Sequence, residues 1–111
     1  MAYDEELAHR VRALIADEAG LSEVRMFGGL AFLLDGNMAV AVSSRGGLMV
    51  RVDPDATADL LARPHAHEFE MRGRAMAGWI RVAAEGLLTK RQLAPWVRRG
   101  TAYARTLPRK G

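Results

Sequence analysis

The sequence contains no cysteine and no long hydrophobic run, and these two absences exclude several classes of protein. Without cysteine, the chain has neither a disulfide framework nor a thiolate that could bind a metal or act as a nucleophile. No apolar run approaches the roughly 20 residues that cross a bilayer as a helix. The N-terminus carries Asp4, Glu5 and Glu6 where a signal peptide would be basic. We therefore expect a cytoplasmic protein that makes no contact with a membrane.

Aromatic residues and net charge are also scarce. Two Trp, two Tyr and three Phe make up 6% of the 111 residues, and the formal net charge is only +3. Such a small excess is compatible with weak attraction to polyanions but is not typical of a dedicated nucleic-acid-binding protein. What is present is the balance of an ordinary globular domain, with 50% hydrophobic and 26% charged residues. At this length we expect residues 1–111 to form a single domain with one core.

Two segments in the first two thirds of the chain have the features of helices. Residues 4–18 place one apolar stripe on a helix that is otherwise charged, formed by Leu7, Val11, Leu14 and Ile15. Gly20 could adopt the left-handed conformation that closes this helix. A second, short helix is predicted over residues 56–61, because Asp53 and Pro54 form a helix start and Pro64 prevents its continuation.

The longest predicted helix lies at the C-terminal end of the chain. Its apolar stripe consists of Leu93, Trp96, Val97, Gly100, Ala104 and Leu107. Thr89 and Gln92 have the spacing of a capping box, whereas Pro95 suggests that a short turn precedes the main helix. Gly100 on the apolar stripe would permit a close approach to a sheet.

Between these helices the sequence has the short apolar runs and glycine-containing turns that are typical of strands. Four strands are predicted at residues 24–27, 30–34, 38–42 and 48–52, and two more at 67–72 and 79–82. Asp35-Gly36 is a hairpin signal, because both residues tolerate the positive φ of a tight turn. The predicted fold is α+β, with an antiparallel sheet of about six strands and three helices in the order α-β-β-β-β-α-β-β-α.

Two patterns could carry chemistry, and each also has a purely structural interpretation. Gly28-Gly29 could suggest a phosphate loop, but a strand follows instead of a helix, which favours a bulge or a close backbone approach. His65 and His67 could share a metal ion, but no third ligand is evident. We therefore expect no enzyme activity, no metal and no cofactor. A small-molecule enzyme or sensor built on the two histidines and the adjacent carboxylates stays open as a further hypothesis.

Positive charge concentrates on the last helix and the tail, at Arg98, Arg99, Arg105, Arg109 and Lys110. Such a cluster could follow a phosphate backbone, although a solvated helix face explains the same pattern. No helix-turn-helix, zinc-finger or RNA-binding signature accompanies it. Weak nucleic-acid binding by this helix and tail is therefore an alternative function.

Five segments stand out together by their order and spacing, at residues 1–7, 26–38, 48–52, 73–79 and 96–108. The most specific of them contain the sequence Met-Phe-Gly-Gly and the sequence Gly-Arg-Ala-Met-Ala-Gly-Trp. In this order the segments closely resemble the TfoX/Sxy N-terminal domain family, over nearly the whole chain. The resemblance implies a secretion-chaperone-like α+β domain that serves protein interaction and regulation rather than catalysis, and that is often dimeric.

The resemblance also bears on the biological role. Full-length members of the family are regulators of natural competence, are thought to act alongside a cyclic-AMP-responsive transcription activator, and carry a second, helical domain. Since this chain ends at Gly111, we expect a short stand-alone member whose part in competence is open. The leading hypothesis is a non-catalytic regulatory domain that binds an unidentified protein partner, with homodimer formation as a second expectation. The expected contact region comprises Met26, Phe27, Gly28 and Gly29.

Overall fold

The computed structural model describes residues 3–109, over which the chain forms three α-helices and six β-strands. The helices are α1 (Glu5–Ile15), α2 (Thr57–Leu61) and α3 (Lys90–Thr106), with 3₁₀ turns at Pro54–Ala56 and Ala84–Leu87. The strands are β1 (Leu21–Met26), β2 (Gly29–Leu34), β3 (Asn37–Val42), β4 (Leu48–Arg51), β5 (Ala66–Met71) and β6 (Arg74–Val82). The α+β class and the predicted order of the elements are confirmed.

The six strands form one antiparallel sheet in the order β1-β2-β3-β4-β6-β5. Strands β1 to β4 follow one another as a meander, and α2 lies in the connection that leads to the β5–β6 hairpin. Directly paired residues lie on the same face of an antiparallel sheet. The register therefore aligns four fully buried side chains in one row, which are Phe32, Val40, Val50 and Ile80.

All three helices contribute to the core that covers this row. Leu7 and Val11 of α1 and Trp96 of α3 belong to the same buried cluster as the row, and Leu60 of α2 packs against it. The helices therefore form one layer and the sheet the other, which is one of the stable ways to bury an apolar sheet face.

The opposite face of the sheet has no helix over it within residues 3–109. The register aligns six residues across the strands of this face, which are Val24, Ala31, Ala41, Met49, Arg81 and His67. We call this surface the open face and this set of six its central row. The two alanines are buried because a methyl group does not rise above its neighbours, while Val24, Arg81 and His67 are exposed and Met49 is partly exposed.

The predicted tight turn between β2 and β3 is present, whereas the end of the first helix differs from the prediction. Asp35 and Gly36 have φ values of 51° and 84° and form the predicted tight turn between β2 and β3. The helix α1 ends at Ile15, three residues earlier than predicted. Gly20 does have a positive φ of 73°, but it lies just before β1 and does not close the helix.

The last helix begins earlier than the position of Pro95 suggests. The predicted capping box of Thr89 and Gln92 is present, and α3 runs from Lys90 through Pro95 without a break. A proline inside a helix removes one hydrogen bond, and the buried side chains of α3 offset that loss. The predicted close approach at Gly100 is confirmed, because a Cβ at this position would collide with the carbonyl oxygen of Ala39 on β3.

Candidate interaction surface

The hairpin tip between β1 and β2 contains Met26, Phe27, Gly28 and Gly29, the contact region that we expect from the sequence. Met26 pairs with Gly29, so Phe27 and Gly28 form a two-residue loop. Their φ values are 52° and 77°, and positive φ at both positions is the requirement of the type I′ turn. Asparagine, aspartate or glycine normally occupies the first position of such a turn, so a phenylalanine there is unusual.

The second glycine of the hairpin tip is explained by packing. A Cβ at Gly29 would collide with the carbonyl oxygen of Val42 on the neighbouring strand β3. This is the close backbone approach that the sequence favours over a phosphate loop. Gly28 supplies the positive φ of the turn, so the two glycines have separate structural roles.

Phe27 has no structural role that matches its size. Its side chain is 90% exposed, more than any other large hydrophobic side chain among the described residues. The left-handed conformation costs about 1–2 kcal/mol for a residue with a Cβ, and burial of an aromatic ring would normally contribute about 1.5–3 kcal/mol. Phe27 bears the first cost and lacks the second benefit. Strained residues of this kind are concentrated at functional sites.

The basic residues of α3 do not form one continuous patch. Arg105 donates to a carboxylate oxygen of Glu18 at 2.8 Å, to Asp35 at 3.4 Å and to the carbonyl oxygen of Ala19 at 2.7 Å. It therefore links α3 to the loop after α1 and to the β2–β3 turn. A phosphate group would have to compete with two carboxylates for this guanidinium group.

Arg98 and Arg99 lie about 10 Å from Arg105 along the helix axis, at a rise of about 1.5 Å per residue. The Arg99 guanidinium carbon stands 4.7 Å from the centroid of the Trp96 ring, a cation–π contact. Partial burial lowers the pKa of Arg99, and the positive charges of Arg63 and Arg98 lower it further. Arg109 is exposed beyond the helix, and Lys110 lies outside the described residues.

The two histidines that could suggest a metal site lie on either side of the start of β5. His65 precedes the strand with a φ of 67°, while His67 lies within it, opposite Arg81. Within residues 3–109, no group of three or more His, Cys, Asp or Glu side chains could hold a metal ion. In the same part of the chain, no helix is long and apolar enough to cross a membrane.

A family model of the TfoX N-terminal domain matches residues 13–104 of the chain. The chain belongs to this family. Its TfoX N-terminal domain match includes all six strands and the hairpin tip. No curated protein matches the chain.

Two features of this TfoX N-terminal domain are not evident from its sequence. Trp96 lies in the core and is only 5% exposed, in agreement with its place on the apolar stripe of α3, whereas Trp79 is partly exposed. Its ring lies 6.3 Å from that of Phe69 and 5.3 Å from the guanidinium carbon of Arg51. The second feature is the open face. The uninterrupted apolar sequences of β2 and β3 indicate strands with apolar residues on both faces, but they do not show which face lacks a helix.

Proposed function

We propose that this TfoX N-terminal domain is a non-catalytic regulatory module that binds a protein partner through its hairpin tip, Met26 to Gly29. The observation that carries the proposal is Phe27, which combines a strained backbone with a side chain that is 90% exposed. Neither property contributes to the stability of the isolated domain. Both are understandable if a partner buries the ring.

The hairpin tip has the physical properties of an interface anchor. A two-residue loop between paired strands holds its backbone rigidly, so little conformational entropy is lost when a partner binds it. Aromatic residues are enriched among the side chains that dominate binding energy, because they bury a large apolar area with few rotatable bonds. Met26, which is partly exposed beside the turn, could extend the same contact.

Affinity capture from a lysate of the native host tests this proposal. The tagged wild-type domain should retain a specific partner, and Phe27→Asn should lose it, because asparagine suits the turn but removes the ring. Two control variants should keep the partner. Leu88→Asn removes another exposed apolar side chain, 72% exposed, at a distant site, and Arg72→Asn changes the equivalent position of the β5–β6 turn. Retention of the partner by Phe27→Asn would contradict the proposal.

Homodimer formation, the second expectation, is tested by sedimentation of the purified domain. A dimer that dissociates in Phe27→Asn would make a second copy of the chain the partner. A monomer at every concentration would leave a different protein as the partner.

Weak nucleic-acid binding through α3 and the tail remains the alternative function. With Arg105 engaged by carboxylates, three of the five residues of this alternative remain available among those that the structure describes, namely Arg98, Arg99 and Arg109. The alternative predicts binding at low ionic strength that falls steeply with salt and is lost in Arg98→Glu. Binding that is unchanged by Arg98→Glu would contradict it.

A further inference from the structure

The composition of the open face differs from that of a sheet surface built for water. In an antiparallel sheet with one solvated face, apolar and polar residues normally alternate along each strand. Strands β2 and β3 contain a single polar residue between them, the buried Asn37. Apolar residues on both faces of a strand are typical of sheets that are covered on both sides. Here only one side is covered within the described residues.

The apolar part of the open face is continuous. Val24, which is 41% exposed, leads through Ala31 and Ala41 to Met49 in the central row. Leu33 and Met38 pair with each other beside that row and are partly exposed. These side chains extend across the first four strands of the sheet.

The remainder of the open face carries basic side chains. Arg81 and His67 end the central row. Arg51 pairs with Trp79 two residues further along the strands, and its guanidinium carbon lies 5.3 Å from the Trp79 ring and 5.7 Å from the ring of Tyr103 on α3. None of these three basic side chains forms an ion pair with a described residue. The central row and the pairs Leu33–Met38 and Arg51–Trp79 beside it contain no carboxylate.

The charge distribution decides between possible occupants. A symmetric dimer through this face would place the same patch on both sides of the interface. Because the central row has Arg81 and no carboxylate, Arg81 would be desolvated in such a dimer without an acidic partner, which is unfavourable. A partner that supplies carboxylates beside apolar side chains would satisfy both halves of the face.

Backbone hydrogen bonding restricts the form of such a partner. A segment laid on the face of a sheet cannot pair with the strands below it and must satisfy its own N–H and C=O groups, as a helix does. Six strands about 4.8 Å apart span about 24 Å. A helix of about 16 residues has this length.

We propose that the open face binds an amphipathic helix of a partner protein that carries carboxylates beside its apolar stripe. This inference rests on the proposed function and specifies the partner's chemistry at a second surface. Met26 connects this surface to the hairpin tip, because it follows Val24 by two residues and therefore lies on the same side of β1.

A designed peptide tests the proposal without knowledge of the partner. The probe is a helical peptide of about 16 residues, with leucines on one face and glutamates beside them, and its twin carries lysines in place of the glutamates. Amide NMR shifts are followed as each peptide is added to the domain. We expect the acidic peptide to shift the amides of Ala31, Met49 and Arg81 and to quench Trp79, and the lysine peptide to have no effect.

Charge reversal makes the test specific. Arg81→Glu should weaken the acidic peptide at least about 10-fold, because an attraction becomes a repulsion, and Met49→Gln should weaken it through the apolar half. Arg91→Glu, an exposed position on α3, should leave the affinity unchanged. Thermal unfolding of each variant shows that the fold is intact.

Several results would overturn the proposal. One is that the acidic peptide does not shift the open-face amides, and another is that Arg81→Glu binds this peptide as tightly as the wild type does. The proposal would also fail if a single-stranded oligonucleotide bound to the same amides more tightly than the acidic peptide, or if the domain formed a dimer that protects the open face. The proposed function is judged separately. If Phe27→Asn loses the captured partner but the acidic peptide does not bind the wild-type domain, the proposed function stands and this inference fails. If the peptide binds but Phe27→Asn keeps the captured partner, only the hairpin contact is contradicted.

Discussion

Phe27, Asp35 and Arg72 occupy equivalent positions, because each is followed by a glycine with positive φ in a tight turn between two strands. Aspartate tolerates the left-handed conformation through local hydrogen bonds of its short side chain. Phenylalanine has no such compensation. The three turns therefore share one backbone requirement, and only the β1–β2 turn satisfies it with a large apolar side chain.

The first prediction concerns the stability contributed at this position. Phe27→Asn should raise the free energy of unfolding by about 1 kcal/mol, because asparagine removes most of the left-handed strain and no buried contact is lost. Chemical denaturation measures the change. Arg72→Asn is the matched control and should give a similar increase. A Phe27→Asn variant less stable than the wild type would show that the ring packs against the domain, and would contradict its proposed role as a free anchor.

A second prediction concerns the ion pair between α1 and the sheet. Arg12 donates to both carboxylate oxygens of Glu23, at 2.6 and 2.9 Å, and this hydrogen bonding lowers the pKa of Glu23. Because folding lowers the pKa of Glu23, the ion pair stabilises the folded state fully above the pKa that Glu23 has in the unfolded chain. This contribution is lost as the pH falls through the pKa that Glu23 has in the folded state.

Glu23→Gln should therefore reduce the free energy of unfolding by less than about 1 kcal/mol at neutral pH, since both side chains are partly solvent-exposed. The difference from the wild type should vanish in acid. Urea denaturation across the acidic pH range measures it. Glu70→Gln, which removes an exposed carboxylate that forms no ion pair with a described residue, is the control and should leave the free energy of unfolding nearly unchanged at neutral pH. A Glu23→Gln effect that grows in acid would contradict the assigned ion pair.

At the scale of the elements, local signals predicted the type and order of the helices and strands, and tertiary contacts decided their ends. Asp35-Gly36 and the Thr89–Gln92 capping box are determined by neighbouring residues and were predicted correctly. The strand β6 begins at Arg74, five residues before its predicted start, because pairing with β5 extends it. Tertiary contacts also explain why Pro95 is tolerated inside α3, because the helix is buried against the sheet.

The third prediction tests the contact between α3 and β3. Gly100→Ala should lower the free energy of unfolding by about 1–3 kcal/mol, because the added methyl group would collide with the Ala39 carbonyl oxygen. In an unconstrained helix the same change would raise stability by about 1 kcal/mol. The sign of the effect therefore separates the two cases. Ala102→Gly on the exposed side of α3 is the control and should lose about 1 kcal/mol through helix propensity alone.

At the scale of the whole molecule, the sequence predicts the sheet and the helices but not the distribution of the helices over its two faces. From the sequence alone, apolar residues such as Ala31 and Ala41 are equally compatible with a sheet face covered by a helix of this chain and with one covered by a partner. The register and the core cluster show that the helices share one face. Met26 to Gly29 is a contact region proposed from the sequence, whereas the strain and exposure of Phe27 depend on the two-residue loop that only strand pairing reveals.

The most direct test of partner binding is site-specific photocrosslinking in the native host. A photoreactive phenylalanine analogue is placed at Phe27 in one variant and at the exposed Leu88 in another. The proposed function predicts a discrete adduct with one partner protein from position 27 and none from position 88. The account would be contradicted if position 27 gave no adduct above the level of position 88.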